Sequence, residues 1–312
     1  MAKDVKSKAA NAAMRKAKLL RELPLHLMLI PAIVLVFIYS YLPMAGIAIA
    51  FQRFVPTNGL FGSPFVGLQN FRTLFSLPDT WQVIGNTVFI SLFKMIGGII
   101  APVLFSLILN EISNKPARRI FQTMVYLPNF LSWIILSGIF LDILSPTRGI
   151  LNMGLSKLGM NTIFFLGDPK WFPLTMIATD IWKGFGFGSV IYLAALTSID
   201  PSLYESAVID GANRWQQTWH ITLPGMLSTI ILMSVLSMAN VLNGGFDQIF
   251  NMYNPAVYST GDILDTMIYR MGIQNAQFAV STAAGLFKSG ISFLFIVVSY
   301  YLADKLAGYR IF

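Results

Sequence analysis

Charged side chains are rare in this sequence, and several of them stand inside long apolar stretches. They are Lys94, Asp142, Asp180, Lys183, Asp247 and Lys288. An ionisable residue at membrane depth is costly and usually faces a cavity or a partner. Lysines that shared a cavity would favour an anionic ligand. The alternative is pairing, because Asp180 and Lys183 are three residues apart on one predicted helix. Lys288 could likewise pair with Asp247 or Asp142, or with another subunit.

A second group of informative residues lies in the polar loop 198–226. Asp200 followed by Pro201 is typical of a helix N-cap and first turn, which places Glu205 near the positive end of a short helix. Gly211 can adopt a positive φ and end or bend that helix. Small residues give the helix a thin face that can enter a groove on another protein. These small residues are Ser206, Ala207 and Ala212.

Motifs for catalysis, metal binding and nucleotide binding are absent from the sequence. It has no Cys, and its two histidines, His26 and His220, are far apart, so we expect no thiolate nucleophile and no His-based metal site. No G-x-x-x-x-G-K-S/T phosphate loop occurs, and the glycines of 184–188 have the wrong spacing for a dinucleotide site. We predict no catalytic residue, no metal ligand and no cofactor on this chain. If the protein moves a solute uphill, the energy must come from an ion gradient or from another subunit.

The overall composition limits the class of protein. Hydrophobic residues make up 55% of the 312 residues and charged residues 12%, with a mean hydropathy of +0.65. Soluble domains carry about 25% charged residues, so a water-soluble enzyme and a disordered chain are both excluded. Six stretches are long and apolar enough to cross a bilayer as helices. They are 25–51, 83–109, 120–144, 172–197, 227–250 and 279–303. Pro224 is expected where the fifth begins.

Lysine and arginine are unevenly distributed among the loops between these stretches. Alternate loops are richer in them, and the richer set lies on the cytoplasmic side. That set is 1–24, 110–119, 198–226 and 304–312. The sequence therefore predicts an all-α, multi-pass integral protein of the cell membrane with six transmembrane helices and both termini cytoplasmic. It divides into a basic tail, 1–24, a six-helix domain, 25–303, and a C-terminal tail, 304–312. The net charge of +8 then reflects topology and not nucleic-acid binding.

The loop 198–226 resembles the coupling motif of ABC importer permeases. That motif reads E-A-A, three residues, G, nine residues, then I-x-L-P, and this chain departs from it only in having serine at the second position. The coupling residues that the resemblance implies are Glu205, Ser206, Ala207, Asp210, Gly211, Ile221, Leu223 and Pro224. Since Ser206 replaces one small residue with another, we expect docking to be undisturbed.

Further segments resemble one branch of sugar permeases that serves oligosaccharide and polysaccharide-fragment importers, including alginate-importer membrane subunits. They are Tyr126–Pro128, Ile163–Trp171, Ile181–Gly184 and Gly285–Ser289. The resemblance implies the type I ABC importer permease fold. It also implies the partners, which are a second homologous permease, two ATPase subunits that bind ATP and Mg, an extracytoplasmic solute-binding protein, an oligosaccharide and the lipid bilayer.

Several polar residues in the apolar stretches are candidates for the substrate pathway. The three lysines fall at a similar depth, roughly 15 Å below the outer edge at 1.5 Å per residue, and would suit a uronate-containing oligosaccharide. Amides and a carboxylate in 240–248 could bind sugar hydroxyls. Aromatic side chains often stack on sugar rings, and Trp133, Trp182 and Tyr192 could supply that contact.

The full candidate set for the substrate pathway is Lys94, Trp133, Trp182, Lys183, Asn240, Asn243, Asp247, Gln248 and Lys288. For the lysines the alternative is ion pairing, and for the amides it is hydrogen bonding between helices. For the whole chain the alternative is a stand-alone secondary transporter or channel for a small polar solute. No clear internal repeat supports that alternative, although such repeats are frequent in its class.

Overall fold

The computed structural model describes residues 22–238 and 241–307. Over these ranges the chain is helical, and its one β feature is an isolated bridge between Gln52 and Phe65. Asn240, most of the basic tail 1–24 and the last five residues of the C-terminal tail lie outside the described residues.

We number the main helices in chain order. The first six are α1 (Glu22–Phe51), α2 (Gln69–Ser76), α3 (Thr80–Glu111), α4 (Lys115–Tyr126), α5 (Trp133–Ile143) and α6 (Ile150–Lys157). The next six are α7 (Phe172–Thr197), α8 (Pro201–Ile209), α9 (Arg214–Met238), α10 (Phe246–Met252), α11 (Leu264–Tyr269) and α12 (Phe278–Ala307). Short 3-10 and π turns extend or connect several of them.

Four of the described helices are long and apolar enough to cross a membrane by themselves. They are Glu22–Phe51, Thr80–Glu111, Arg214–Met238 and Phe278–Tyr301. The shortest has 24 residues, which at about 1.5 Å per residue exceeds a hydrocarbon core of about 30 Å. The chain is therefore a multi-pass membrane protein. Helix α7 has 26 residues, a sufficient length, but it carries Asp180 and Lys183 in its interior.

The third predicted stretch, 120–144, is not one continuous helix. The segments Lys115–Phe130 and Trp133–Ile143 meet at an angle of 105°. Leu131 is extended, and the Ser132 side chain accepts a hydrogen bond from the Ile135 N–H, which starts α5 in a new direction. A serine N-cap of this kind stabilises a helix start. This part of the chain is thus bent or re-entrant.

The fifth predicted stretch, 227–250, has different bounds in the structure. As expected, a regular α-helix, Leu223–Met238, begins next to Pro224, but the helical residues 214–222 extend it on the N-terminal side, so that α9 as a whole is Arg214–Met238. The proline lies two residues after a π turn, Thr218–Thr222, a local irregularity that helices tolerate. A separate helix, α10, then follows Gly245, whose φ of 85° is a left-handed conformation that favours glycine.

The core lies where α3 and α7 cross. Gly97 of α3 allows this approach, because a Cβ there would be 2.0 Å from the Ile181 side chain. At the end next to α8 the core contains Val103, Leu109, Tyr192, Leu196 and Met226. At the other end it contains Ile90, Phe172, Met176, Ile249 and Ile263. In contrast, none of the residues in the most apolar segment of α1 is buried against the rest of the described chain.

Candidate functional site

The loop between α7 and α9 folds into the short helix α8. The Asp200 side chain accepts a hydrogen bond from the Ser202 N–H at 2.9 Å, and Pro201 occupies the first turn. Hydrogen bonds from Ser202 hold the pKa of Asp200 below its usual value, since they stabilise the carboxylate. The sequence prediction of an N-cap at Asp200 is confirmed.

Helix α8 ends in a Schellman motif, which fixes the direction of the chain after it. Gly211 has a φ of 80°, the Ala212 N–H bonds to the Ala207 carbonyl at 2.8 Å, and the Gly211 N–H bonds to the Val208 carbonyl at 3.1 Å. This pairing satisfies the last carbonyls of the helix and needs a residue that tolerates the left-handed region. The predicted positive φ at Gly211 is therefore confirmed.

The remaining coupling candidates fall into an exposed group and a partly covered group. Glu205, Ser206, Asp210 and Pro224 are exposed. Ala207, Ile221 and Leu223 are partly buried. The hydroxyls of Tyr204 and Thr222 lie 3.0 Å apart and tie α8 to the start of α9. A cavity of about 550 Å³ lies between these helices and the end of α3, and Glu205 lines it.

Sequence reasoning missed three apolar residues on α8. Leu203, Val208 and Ile209 are all exposed, Ile209 to 86%. Their signal was present, because apolar side chains in a polar loop outside the predicted spans have no bilayer to enter. An exposed apolar group of this kind is typical of a protein-binding surface.

Lys94 is buried and joins three parts of the fold. Its side chain is 7% exposed, and its ammonium donates to the Gly244 carbonyl at 2.8 Å and also to the Gln248 side-chain oxygen. Asp180 of α7 lies 3.7 Å away. The expected pairing of Asp180 with Lys183 does not occur, because Asp180 pairs with Lys94 across the α3–α7 crossing.

Lys288 is paired as well, but with a residue that the sequence did not suggest. Its ammonium donates to Asp265 at 2.6 Å and to the Asn243 side-chain oxygen at 3.0 Å. Asp247 and Asp142 are not its partners in the described structure. Asp265 belongs to α11, which lies between the fifth and sixth predicted spans, and this is why the sequence pattern did not reveal it.

Lys183 has a different environment from the other two lysines. Its ammonium donates to the Asn129 carbonyl at 3.3 Å and lies 5.3 Å from the centre of the Trp133 ring. Trp182, next to it in sequence, points to another side of α7. There it packs edge-on against Phe140, with ring centres 5.5 Å apart, in an apolar groove of about 590 Å³.

The polar residues of the fifth apolar stretch do not act as one group. Gln248 is fully buried, and its amide donates to the Met176 carbonyl at 2.8 Å and to the Thr179 hydroxyl at 2.7 Å. Asn243 and Asp247 are exposed. Gln248 therefore forms hydrogen bonds between helices, which was the alternative to sugar binding for the amides. Tyr192, the third aromatic candidate for sugar stacking, is buried in the core.

One open cleft brings part of the candidate set together. It has a volume of about 270 Å³ and is lined by Ser91, Lys94, Met95, Gly98, Asp180, Ser237, Asn243 and Gly245. Lys288 does not line this cleft, but its ammonium donates a hydrogen bond to Asn243, which does. Lys183, Trp133, Trp182 and Asp247 are not among its lining residues. The structure thus groups two of the three lysines and separates the third.

Comparison with known proteins assigns the family. Residues 94–308 match the family described as binding-protein-dependent transport system inner membrane component. The chain belongs to this family. The matched range contains the loop 198–226 with α8, all three lysines and most of the residues that line the cleft.

Two relatives from Bacillus subtilis (strain 168) align with nearly the whole chain. Protein LplB is 38% identical over 93% of this chain and 91% of its own length. The polygalacturonan/rhamnogalacturonan transport system permease protein YteP is 35% identical over 92% of this chain and 90% of its own length.

Two solved structures have the same fold. One is a bacterial ABC transporter involved in the import of the acidic polysaccharide alginate, with a TM-score of 0.86 and 37% identity over 93% of this chain and 98% of that chain. The other is a bacterial alginate ABC transporter in complex with an alginate pentasaccharide-bound periplasmic protein, with a TM-score of 0.85 and 36% identity over 93% of this chain and 97% of that chain. The predicted resemblance to alginate-importer membrane subunits is confirmed.

Proposed function

We propose that this chain is a permease subunit of an ATP-driven importer of oligosaccharides, with fragments of acidic polysaccharides as substrates. The main support is the likeness to an alginate importer over 93% of the chain at 37% identity. The similarity to a polygalacturonan/rhamnogalacturonan permease points to the same substrate class, since polygalacturonan and rhamnogalacturonan, like alginate, contain uronates.

The proposed topology has six membrane crossings and both termini in the cytoplasm. It counts the four long apolar helices, the bent pair α4–α5 and helix α7. The excess of Lys and Arg in alternate loops supports the orientation. In this arrangement α8 faces the cytoplasm.

We propose that α8 couples the permease to a separate ATPase. Its exposed apolar residues, Leu203, Val208 and Ile209, would enter a groove on that subunit, with Glu205 beside them. ATP and Mg²⁺ would bind to the ATPase. Closure of two such subunits would move this helix and its counterpart in a second permease, and the helices would switch between inward-open and outward-open states.

We assign the cleft at Lys94, Asp180 and Asn243 to the substrate pathway. It is open, its lining includes the polar side chains of Ser91, Lys94, Asp180, Ser237 and Asn243, and it lies beside helices long enough to cross the membrane. Lys94 and Lys288 are each paired with a carboxylate, so their part in this proposal is to shape the cleft and to present hydrogen-bonding groups.

The decisive experiment is reconstitution of the chain with a second permease, an ATPase and a solute-binding protein. We expect ATP hydrolysis that the oligosaccharide-loaded binding protein stimulates and that vanadate inhibits. Transport by this chain alone, insensitive to vanadate, would contradict the proposal and support the stand-alone transporter.

A further inference from the structure

Lys183 differs from the other two lysines of the apolar stretches in having no carboxylate partner among the described residues. Lys94 has Asp180 at 3.7 Å, and Lys288 has Asp265 at 2.6 Å. The contacts of Lys183 are the Asn129 carbonyl and the Trp133 ring. An ammonium has three donor hydrogens, so these contacts leave hydrogen-bonding capacity and a positive charge without a counter-charge.

The face of α7 that carries Lys183 is only partly covered by the rest of the described chain. Lys183 is half-buried, and a Cβ at the next residue, Gly184, would meet nothing within 4 Å. Asp180, one turn before Lys183, has a side chain that is 36% exposed and lines the cleft beside Lys94. Phe187, one turn after it, is exposed. Residues three and four apart lie on one face of a helix, so a molecule along this face can reach the ammonium.

From this environment we infer that Lys183 forms a subsite for the carboxylate of a uronate residue in the transported oligosaccharide. Trp133 and the Asn129 carbonyl hold the ammonium in place through a cation–π contact and a hydrogen bond. The bound carboxylate supplies the missing negative charge in a charge-assisted hydrogen bond. A neutral sugar offers no such compensation. The inference rests on the proposed function, which supplies the oligosaccharide.

The absence of cysteine from this chain allows a direct test. In the full importer, with cysteine-free partner subunits, K183C would carry the only thiol. We expect K183C to lower uptake of an oligouronate at least tenfold. A thiol reagent that adds an aminoethyl group restores the positive charge and should recover uptake, whereas a sulfonatoethyl reagent should not. The oligouronate, but not a neutral oligosaccharide of the same length, should slow the reaction of the thiol.

The matched control is K157C, which removes an exposed lysine at the end of α6 and should leave uptake unchanged. K183R keeps the charge and should retain most of the uptake, which separates loss of charge from loss of folding. A thiol that does not react, or that the oligouronate does not protect, overturns the inference. Loss of co-purification with the second permease in K183C would show that its carboxylate comes from that subunit, and also overturns it. If the unmodified importer is not stimulated by any oligosaccharide, the proposed function fails instead.

Discussion

At the scale of single residues, Lys94 is the most buried charged side chain of the candidate set. Its ammonium connects α3 to Asp180 of α7 and to the Gly244 carbonyl in the break before α10. Removing one member of a buried ion pair leaves the other charge and several polar groups without compensation. Lys94 therefore stabilises the shape of the cleft whether or not it contacts substrate.

We expect K94M to destabilise the protein by about 3 kcal/mol, the lower end for a broken buried pair, because Asp180 remains partly solvated. The measurement is the midpoint of thermal unfolding in detergent. The double variant K94M/D180N should recover part of the loss, since it removes the uncompensated carboxylate. Unchanged stability in K94M would contradict this role.

Gly211 is the second residue with a specific conformational requirement. We expect G211A to weaken α8 by about 1 kcal/mol, because alanine is strained at a φ of 80°. The strained helix end should lower uptake per ATP hydrolysed while membrane insertion stays normal. S206A is the control, because Ser206 is exposed and alanine is the residue of the family motif. Normal coupling in G211P would refute the proposal for this helix.

At the scale of elements, α8 presents more apolar surface than its polar loop would suggest. Ile209 is 86% exposed at the end of the helix. A hot-spot residue of an interface contributes about 2 kcal/mol or more, which is roughly thirtyfold in affinity, and the high exposure of Ile209 makes it the candidate on α8. We expect I209S to reduce co-purification of the ATPase to that extent, with the yield of the permease unchanged. Full retention of the ATPase would place its contact elsewhere.

The segment between α9 and α10 contains a second glycine whose backbone conformation and close neighbours restrict substitution. Gly245 has a φ of 85°, and a Cβ there would lie 2.8 Å from the Lys94 ammonium. We therefore expect G245A to lower thermal stability and uptake together. G85A in α3 is the matched control, because a Cβ on Gly85 would meet nothing within 4 Å. Equal behaviour of the two variants would show that the break tolerates a side chain.

At the scale of the whole molecule, the described chain leaves much apolar surface uncovered. The most apolar segment of α1 is not buried against any other described helix, and many large apolar side chains on α3, α7 and α12 are exposed. In a membrane protein such surface contacts lipid or another subunit. This is consistent with a chain that forms part of a larger membrane assembly.

The proposed orientation makes a prediction for the whole molecule. Because the chain has no cysteine, S206C on α8 and N275C before α12 would each be the only thiol. We expect an impermeant thiol reagent to label S206C only from the cytoplasmic side and N275C only from the outside. The reverse pattern would invert the topology and remove the basis for ATPase coupling.

The sequence alone determined the membrane class, the helical content, the N-cap at Asp200 and the positive φ of Gly211, because these depend on composition and on residues close together in the chain. It could not determine the partners of the lysines. Lys94 meets Gly244, and Lys288 meets Asp265, only after helices distant in sequence have packed. The same holds for the bend at residues 131–132 and for the bounds of α9. Local patterns specify helices, whereas the energy of burying a charge depends on which distant groups surround it.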